Sequence, residues 1–334
     1  MLVNDVKACS FDAWYNNFRD FTSESFILPL SPDFVDSILE DHIMLPKTAP
    51  VFKSNKSNPS DSDDNWSECD EENESGPRRP EFPEFEAELL CAIRKLGGAV
   101  FPKLNWSAPK VCFSFRYLIH SQDASWMLCG NSLKYFVAHD LTAPFALCAD
   151  VPVEQLKEKQ DFQPVLVLRR WSDYRPDGEF RCFVRARKLI AISQRMHDSY
   201  FQSVAQNVEH IKQELHTFFN KRIRDRFPLN DYTVDLYYEP SNSPNRRSKI
   251  ILIDFNVFGL PTEPLLFTWS ELEDNNLIER VSDPVIRVQT DRSIRPNVFS
   301  QYSVPIDLID IASGSDPSKL MEFVQTCIEE QQEN

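Results

Sequence analysis

The strongest constraint on the fold is a run of four aliphatic residues, 250–253, that leads directly into an aspartate and an asparagine. The run predicts a buried strand over residues 249–256. Because side chains alternate along a strand, Asp254 and Asn256 then lie on one face, about 7 Å apart at the backbone. Two such oxygen donors can share a magnesium ion that carries phosphates. They can equally end a strand and begin a turn, and this segment alone favours that plainer interpretation.

Two further segments predict strands beside this one. Residues 232–238 pair naturally with 249–256 across a polar turn, which makes Asp235 a second carboxylate within reach of the same cation. Residues 164–171 are apolar on both faces, as expected of a strand in the middle of a sheet. The pattern therefore predicts a sheet that carries two carboxylates and an amide.

Three arginines accompany the predicted strands. Residues 179–185 alternate in polarity and lead through a short turn into residues 189–195, which begin with four apolar side chains, and this predicts an antiparallel hairpin. Arg169, Arg181 and Arg195 therefore lie on or just past strands. Guanidinium groups in a sheet either protect an edge by charge or cradle phosphate oxygens, and the residues alone do not choose between the two.

A lysine follows another short strand. Residues 84–96 predict an amphipathic helix that two glycines end, and a strand over residues 99–101 comes directly after it. Lys103 is then either a solvated strand end, which is the commoner case, or a cation that points into a site. Trp106 is either a core residue or a flat surface beside a ligand.

Three other helices are predicted. Apolar residues recur at helical spacing over residues 208–219. Thr268 and Glu271 form a capping box for a helix that extends through Leu277. Residues 316–328 begin with a capping aspartate and proline and carry one apolar stripe.

The charge balance argues against several classes of partner. The formal net charge is -15, whereas nucleic acids and anionic membranes require a basic surface. No apolar run approaches the roughly 20 residues of a membrane span, and the first residues lack the core of a signal peptide. The eight cysteines show no metal-binding spacing, which indicates reduced thiols in a cytosolic or nuclear protein.

Glycine is scarce. Seven of the 334 residues are glycine, about 2%, whereas the usual share is about 7%. The chain also contains no glycine-rich phosphate loop. Any phosphate site must therefore be built from side chains.

The beginning of the chain changes composition twice. Residues 11–18 are rich in aromatic side chains, which either dock on the body of the protein, the commoner case, or anchor a partner. Residues 46–80 lose the apolar pattern, and eight acids with no base fall within residues 61–74. We expect this acidic linker to be disordered.

Several long blocks of sequence resemble the signature blocks of the cell division cycle protein 123 family. Three of them contain the polar residues described above: Phe101 to Pro109, Glu179 to Val184 with Ile192 to Arg195, and Leu252 to Asn256. The resemblance continues in residues 13–15, 27–30, 80–85 and 266–269, so it covers nearly the whole chain.

The resemblance implies an α+β, ATP-grasp-like fold, in which two α+β lobes with mainly antiparallel sheets surround a nucleotide cleft. On this basis we expect an amino-terminal segment docked on the body (1–45), the acidic linker (46–80), a first lobe (81–163), a second lobe (164–300), and a carboxy-terminal helix and tail (301–334).

The resemblance also implies a function. Members of that family are assembly factors for eukaryotic translation initiation factor 2, and they bind its gamma subunit and promote joining of the alpha and gamma subunits. We therefore expect a cytoplasmic chaperone that binds ATP and Mg²⁺, with no direct nucleic-acid or membrane partner. The aromatic amino-terminal segment and the carboxy-terminal helix would help to cover the gamma subunit.

The resemblance assigns roles to individual residues. Cations meet the phosphates, Trp106 and the backbone at Ala108 border the nucleotide, and the backbone of residues 165–169 faces the adenine. The implied nucleotide-binding residues are Lys103, Trp106, Ala108, Val167, Leu168, Arg169, Arg181, Arg195, Asp235 and Asp254. The implied magnesium ligands are Asp235, Asp254 and Asn256.

The chain departs from the family pattern at three points. Val111 stands where the family has an acidic residue, Val257 replaces a proline, and Val165 stands where an acidic residue is expected before the adenine segment. These changes bear on nucleotide affinity more than on fold.

Two enzymatic alternatives use a similar site. An ATP-grasp ligase would join a carboxylate to an amine through an acyl phosphate, and no set of residues for a second substrate is evident. An RNA-ligase-like nucleotidyl transferase needs a lysine nucleophile, but the matching tetrapeptide begins with Arg175, which cannot be deprotonated to attack phosphorus.

Overall fold

The structure is a computed structural model that describes residues 1–39, 82–107, 140–141, 143–150, 162–241, 248–274 and 283–292. Its helices are α1 (Val3–Ala8), α2 (Phe11–Phe18), α3 (Pro32–Leu39), α4 (Pro83–Lys95), α5 (Gln202–Phe218) and α6 (Trp269–Leu272). Its strands are β1 (Ser25–Pro29), β2 (Val100–Lys103), β3 (Val165–Arg170), β4 (Glu179–Arg185), β5 (Lys188–Gln194), β6 (Tyr232–Glu239), β7 (Lys249–Val257) and β8 (Val285–Arg287). Short 3₁₀ turns cover Arg19–Phe21, Ala143–Phe145 and Pro176–Gly178, and a π-helical turn, Phe219–Ile223, continues α5.

The strands form two sheets. A three-stranded sheet has the order β1-β3-β2, and a five-stranded sheet has the order β7-β6-β4-β5-β8. Every neighbouring pair is antiparallel except β5 and β8. The α+β class with mainly antiparallel sheets is confirmed, as are the central position of β3, the β4–β5 hairpin and the pairing of β6 with β7. The three strands of the smaller sheet come from three different expected segments: β1 from residues 1–45, β2 from residues 81–163 and β3 from residues 164–300.

The alternation of side chains along β3 separates two of the three hydrophobic cores in the described part of the chain. Val165 and Val167 of β3 face the main core, which also takes one face of the five-stranded sheet, while Leu166 and Leu168 face a second core. Helices α3 and α4 cover that second core, with Leu89 and other apolar residues of the predicted stripe buried against it. A central strand that is apolar on both faces is thereby fully buried.

The aromatic residues at the beginning of the chain are part of the main core. Phe11, Trp14 and Phe18 are each no more than 1% exposed. The rings of Trp14 and Phe18 lie 5.3 and 5.1 Å from the ring of Phe255 on β7. These three side chains therefore stabilise the body of the protein and do not present an aromatic anchor to a partner.

Three local predictions need correction. The aliphatic run on β7 is mostly half-buried, and only Leu252 is fully covered, because β7 is an edge strand. Strand β2 covers Val100–Lys103 and so ends two residues later than predicted. The capping box at Thr268 and Glu271 is present, but its helix ends at Leu272 and does not reach Leu277. The predicted acidic linker and the carboxy-terminal helix lie outside the described residues.

Candidate functional site

A row of polar residues crosses the five-stranded sheet on the face opposite the main core. Strand pairing places Asp254 of β7 opposite Asp235 of β6, and Asp235 opposite Arg181 of β4. The row continues through Ser193 of β5 to Arg287 of β8. Residues that face one another on paired strands lie about 5 Å apart, so the sheet itself brings these groups together.

A β-bulge decides the direction of Asp254. The partner of Asp235 is Asp254, but the partner of the next residue, Leu236, is Leu252, which leaves Ile253 as an extra residue in β7. Leu252 and Phe255 are three positions apart, yet both are buried in the main core. Without the extra residue, Asp254 would share the core-facing side of Leu252, since side chains alternate. The bulge therefore turns Asp254 toward the polar row.

The neighbouring sheet holds this bulge in place. Arg169 of β3 donates a hydrogen bond of 2.9 Å to the carbonyl oxygen of the bulged residue Ile253, and a second of 3.1 Å to Thr22 Oγ1. The Thr22 hydroxyl in turn donates to the Leu252 carbonyl at 2.7 Å. Thus Arg169 does not protect a sheet edge: it lies in a central strand, is 6% exposed, and joins the two sheets at the candidate site.

Lys103 is a buried cation and not a solvated strand end. Lys103 is 2% exposed, and its ammonium nitrogen lies 2.5 Å from Asp254 Oδ2. The ring of Phe11 lies under both neighbouring cations, with its centroid 5.1 Å from Lys103 Nζ and 5.4 Å from Arg169 Cζ. A buried ammonium needs such partners, because an unpaired charge in the interior is costly.

Arg181 and Asp235 form the second ion pair of the site. The guanidinium donates two hydrogen bonds of 2.8 Å, from Nε and Nη2, to the two carboxylate oxygens of Asp235. Its third donor reaches the Glu263 carbonyl at 2.9 Å. Arg181 also lies in a central strand, which excludes edge protection for it. The bidentate arrangement fixes the position of the carboxylate.

The pKa values of the two carboxylates are shifted in opposite directions. Burial raises the pKa of Asp254 above its ordinary value, and the attraction of Lys103 only partly offsets this effect. Burial also acts to raise the pKa of Asp235, but the attraction and hydrogen bonds of Arg181 outweigh it and hold the pKa below its ordinary value. Burial likewise raises the pKa of Glu179, which lies near Arg195. Asp235 is therefore the firmly ionised member of the pair.

The remaining expected residues lie at different distances from this centre. Asn256 points to the same face, and its amide nitrogen makes a long contact of 3.4 Å with Asp235 Oδ2. Rotation of the amide group by 180° would present its oxygen at the same position instead of its nitrogen. Arg195 lies just past β5 and approaches Glu263 at 3.8 Å, with about a third of its side chain exposed.

Three expected nucleotide contacts are not seen at the polar row. Trp106 donates its indole N–H to the Val6 carbonyl at 2.9 Å and packs against Phe145 and Phe162. Val167 and Leu168 are fully buried in β3, which has a strand on both sides. An adenine would have to compete with β1 and β2 for their backbone groups. Ala108 lies outside the described residues, as does Val111.

The charged side chains at the polar row suit a magnesium ion with bound phosphate groups. Four cations, Lys103, Arg169, Arg181 and Arg195, accompany the two facing carboxylates in a chain whose net charge is -15. Within the described part of the chain, no group of three or more histidine, cysteine, aspartate and glutamate side chains is arranged to hold a metal ion. The expected ligand set has two carboxylates and one amide, so phosphate oxygens or water would complete it.

Three contributors to the site were not identified from sequence. Phe11 and Thr22 lie in the amino-terminal segment, far along the chain from Asp254, and only the density of aromatic residues around Phe11 indicated burial there. Glu179 faces the polar row because it shares a strand face with Arg181. The alternating polarity of residues 179–185 is the sequence signal that could have identified it.

A groove of about 830 Å³ lies elsewhere, between α5 and the end of β6. Its charged lining is mainly acidic: Asp173, Asp177, Glu214 and Glu239 against Arg175. Such a wall repels phosphates, so we place the candidate nucleotide site at the polar row, where cations are in excess.

A known protein family matches most of this chain. The model of the D123 family matches residues 14–312, which includes strands β1 to β8 of the described part of the chain. The chain belongs to the D123 family. Two relatives, from Xenopus laevis and Dictyostelium discoideum, each carry the name translation initiation factor eIF2 assembly protein. They are 34% and 30% identical to this chain, with 97% and 95% of it aligned to 96% and 94% of theirs.

The fold of a family member is also known. The structure of Cdc123 from Schizosaccharomyces pombe is 28% identical in sequence and superposes with a TM-score of 0.62, covering 87% of this chain and 99% of that one. The described part of the chain contains no helix long and apolar enough to cross a membrane.

Proposed function

We propose that this D123 protein is an assembly factor for eukaryotic translation initiation factor 2 that binds Mg²⁺ and ATP at the polar row and contacts the gamma subunit. The names of its relatives support the assembly role. The observation that carries the nucleotide site is the facing pair Asp254 and Asp235, each bound to a cation: Asp254 to Lys103 of the three-stranded sheet, and Asp235 to Arg181 of the neighbouring strand. Carboxylates suit the metal and the cations suit phosphate oxygens.

Each side chain has a distinct part in this proposal. Asp235, Asp254 and Asn256 hold magnesium, which when bound neutralises part of the phosphate charge. Lys103 and Arg169 meet phosphate oxygens from the three-stranded sheet. Arg181 and Arg195 meet them from the five-stranded sheet.

The internal ion pairs predict that metal and nucleotide bind together. Lys103 is paired with Asp254, and Arg181 with Asp235. A phosphate alone would draw the cations away and leave buried carboxylates unpaired, while a metal alone would do the reverse. A magnesium nucleotide replaces both partners at once, so each should bind weakly without the other.

A thermal-shift experiment on the full chain tests the nucleotide site. At about 100 times Kd, Mg²⁺-ATP should stabilise the fold by about 2.7 kcal/mol, which raises the melting temperature by roughly 4 °C for a chain of this length. ATP with a chelator, or Mg²⁺ alone, should give much smaller shifts. Asp254→Asn should remove most of the shift, since it takes the negative charge from one metal ligand.

A matched control separates loss of ligand from loss of stability. Leu215→Ala removes a fully buried side chain from α5, on the core side of the sheet, and should lower the melting temperature without ligand. Its ligand-induced shift should nevertheless stay close to that of the unmodified protein. No shift at millimolar Mg²⁺-ATP in the unmodified protein would refute the proposed site.

Affinity capture tests the partner. The tagged full chain should recover the gamma subunit of the initiation factor from a eukaryotic extract, and Asp254→Asn should recover less of it if nucleotide steadies the binding shape. Recovery of the alpha or beta subunit without gamma would contradict the proposed contact.

A further inference from the structure

A basic surface lies at the end of α5, away from the polar row. Residues 218–227 contain four cations, Lys221, Arg222, Arg224 and Arg226, and one acid, Asp225. All five side chains are exposed. We refer to these four cations as the basic ridge. Such a concentration of positive charge is unexpected in a chain whose net charge is -15.

A π-helical turn creates the ridge. The Arg224 amide donates to the Phe219 carbonyl five residues back at 3.0 Å, within the π-helical turn Phe219–Ile223. Phe219, Ile223 and Phe227 are all buried at a spacing of four residues. An α-helix would rotate this stripe by about 40° at each step, whereas the wider turn keeps it on the core. The intervening cations are therefore held together on the solvent side.

Two of these arginines share one aromatic ring. The guanidinium carbons of Arg222 and Arg226 lie 5.1 and 5.2 Å from the centroid of Phe21. Phe21 packs against the main core, and its ring meets Phe218 edge-on at 6.0 Å. The ring thus fixes both guanidinium groups at one place, although like charges four residues apart repel.

The arginine pair has no anionic partner within the described part of the chain. Arg224 bonds to Asp225, but no ion pair joins Arg222 or Arg226 to a carboxylate, even though Asp20 directly precedes Phe21. Two guanidinium groups held together in this way present several N–H donors to one anion. Their arrangement matches a pair of neighbouring carboxylates or phosphates.

We propose that the basic ridge binds an acidic segment of a partner protein, through Arg222 and Arg226. The charge distribution favours a short peptide over nucleic acid. A long polyanion would extend from the ridge over a surface whose net charge is strongly negative, whereas a short acidic segment can end within the ridge.

Fluorescence anisotropy with a defined probe tests the proposal. The probe is a short fluorescein-labelled peptide of alternating glutamate and serine, mixed with the full chain at low salt. Arg222→Gln with Arg226→Gln should weaken binding roughly tenfold or more, since two charge-assisted contacts are lost. Added salt should weaken the interaction with the unmodified protein, because the ridge is exposed.

A charge-matched variant is available as a control. Lys95→Gln with Arg185→Gln also removes two positive charges, each from a cation that lies over a phenylalanine ring elsewhere, at Phe26 and Phe258. It should bind the peptide as the unmodified protein does, and circular dichroism should show that both double variants are folded.

Three results would overturn the proposal. The first is equal loss of affinity in the two double variants, which would indicate general electrostatics. The second is tighter binding of a uridylate oligonucleotide than of the acidic peptide. The third is peptide binding that is seen only after deletion of residues 61–74, which would make the chain's own acidic segment the occupant.

Discussion

Removing either partner of the Lys103–Asp254 pair should have unequal effects on stability. Lys103 Nζ and Asp254 Oδ2 lie 2.5 Å apart, but the lysine side chain is 1% exposed and the aspartate side chain 19% exposed. Asp254→Asn leaves a fully buried ammonium without its anion and should cost about 3–5 kcal/mol. Lys103→Met leaves a carboxylate that still reaches solvent and is attracted by Arg169, so it should cost less, about 1–3 kcal/mol.

The double variant provides the decisive comparison. With both charges gone, no unpaired ion remains, so the combined loss should be smaller than the sum of the single losses by about 1–3 kcal/mol. Urea denaturation followed by circular dichroism measures all four proteins. Losses that simply add, or a larger loss for Lys103→Met than for Asp254→Asn, would show that the pair is not a coupled, lysine-buried contact.

Three further predictions follow from the same geometry. Arg181→Lys should lower the free energy of unfolding by about 1.5–3 kcal/mol in urea denaturation, since an ammonium cannot make both hydrogen bonds to Asp235. Between the unfolded pKa near 4 and its lower folded pKa, Asp235 loses its stabilising contribution as the pH falls, so Asp235→Asn should flatten the loss of melting temperature in acid. Gly178→Ala should cost about 1–3 kcal/mol in the same urea assay, because a Cβ there would lie 2.5 Å from the Tyr237 ring, and an unchanged midpoint would contradict this packing.

Much of the local structure was predictable because it depends on near neighbours in sequence. Strand periods placed β3, the β4–β5 hairpin and the β6–β7 pair, and helical spacing placed α4 and α5. The predicted pairing of their strands brought Asp235 within reach of Asp254, although it did not specify the register. The errors concern the ends of elements and the burial of β7, which depend on what lies on either side of a strand.

The environment of the site was much less predictable. Lys103 has the sequence context of a solvated strand end, and only the approach of the second sheet buries it against Asp254. The edge or central position of Arg169 and Arg181 depends on strand order, which alternation does not reveal. Phe11 reaches both cations from a distant part of the chain.

The sequence by itself determined that Asp254 and Asn256 share a strand face, because side chains alternate with a period of two residues. Only the tertiary structure decided which face that is. The extra residue Ile253 reverses the phase of β7, and Arg169 from the other sheet holds that bulge through its carbonyl oxygen. A bulge is stabilised by contacts across the fold and not by local propensity, so the direction of the two candidate magnesium ligands is a property of the assembled sheets.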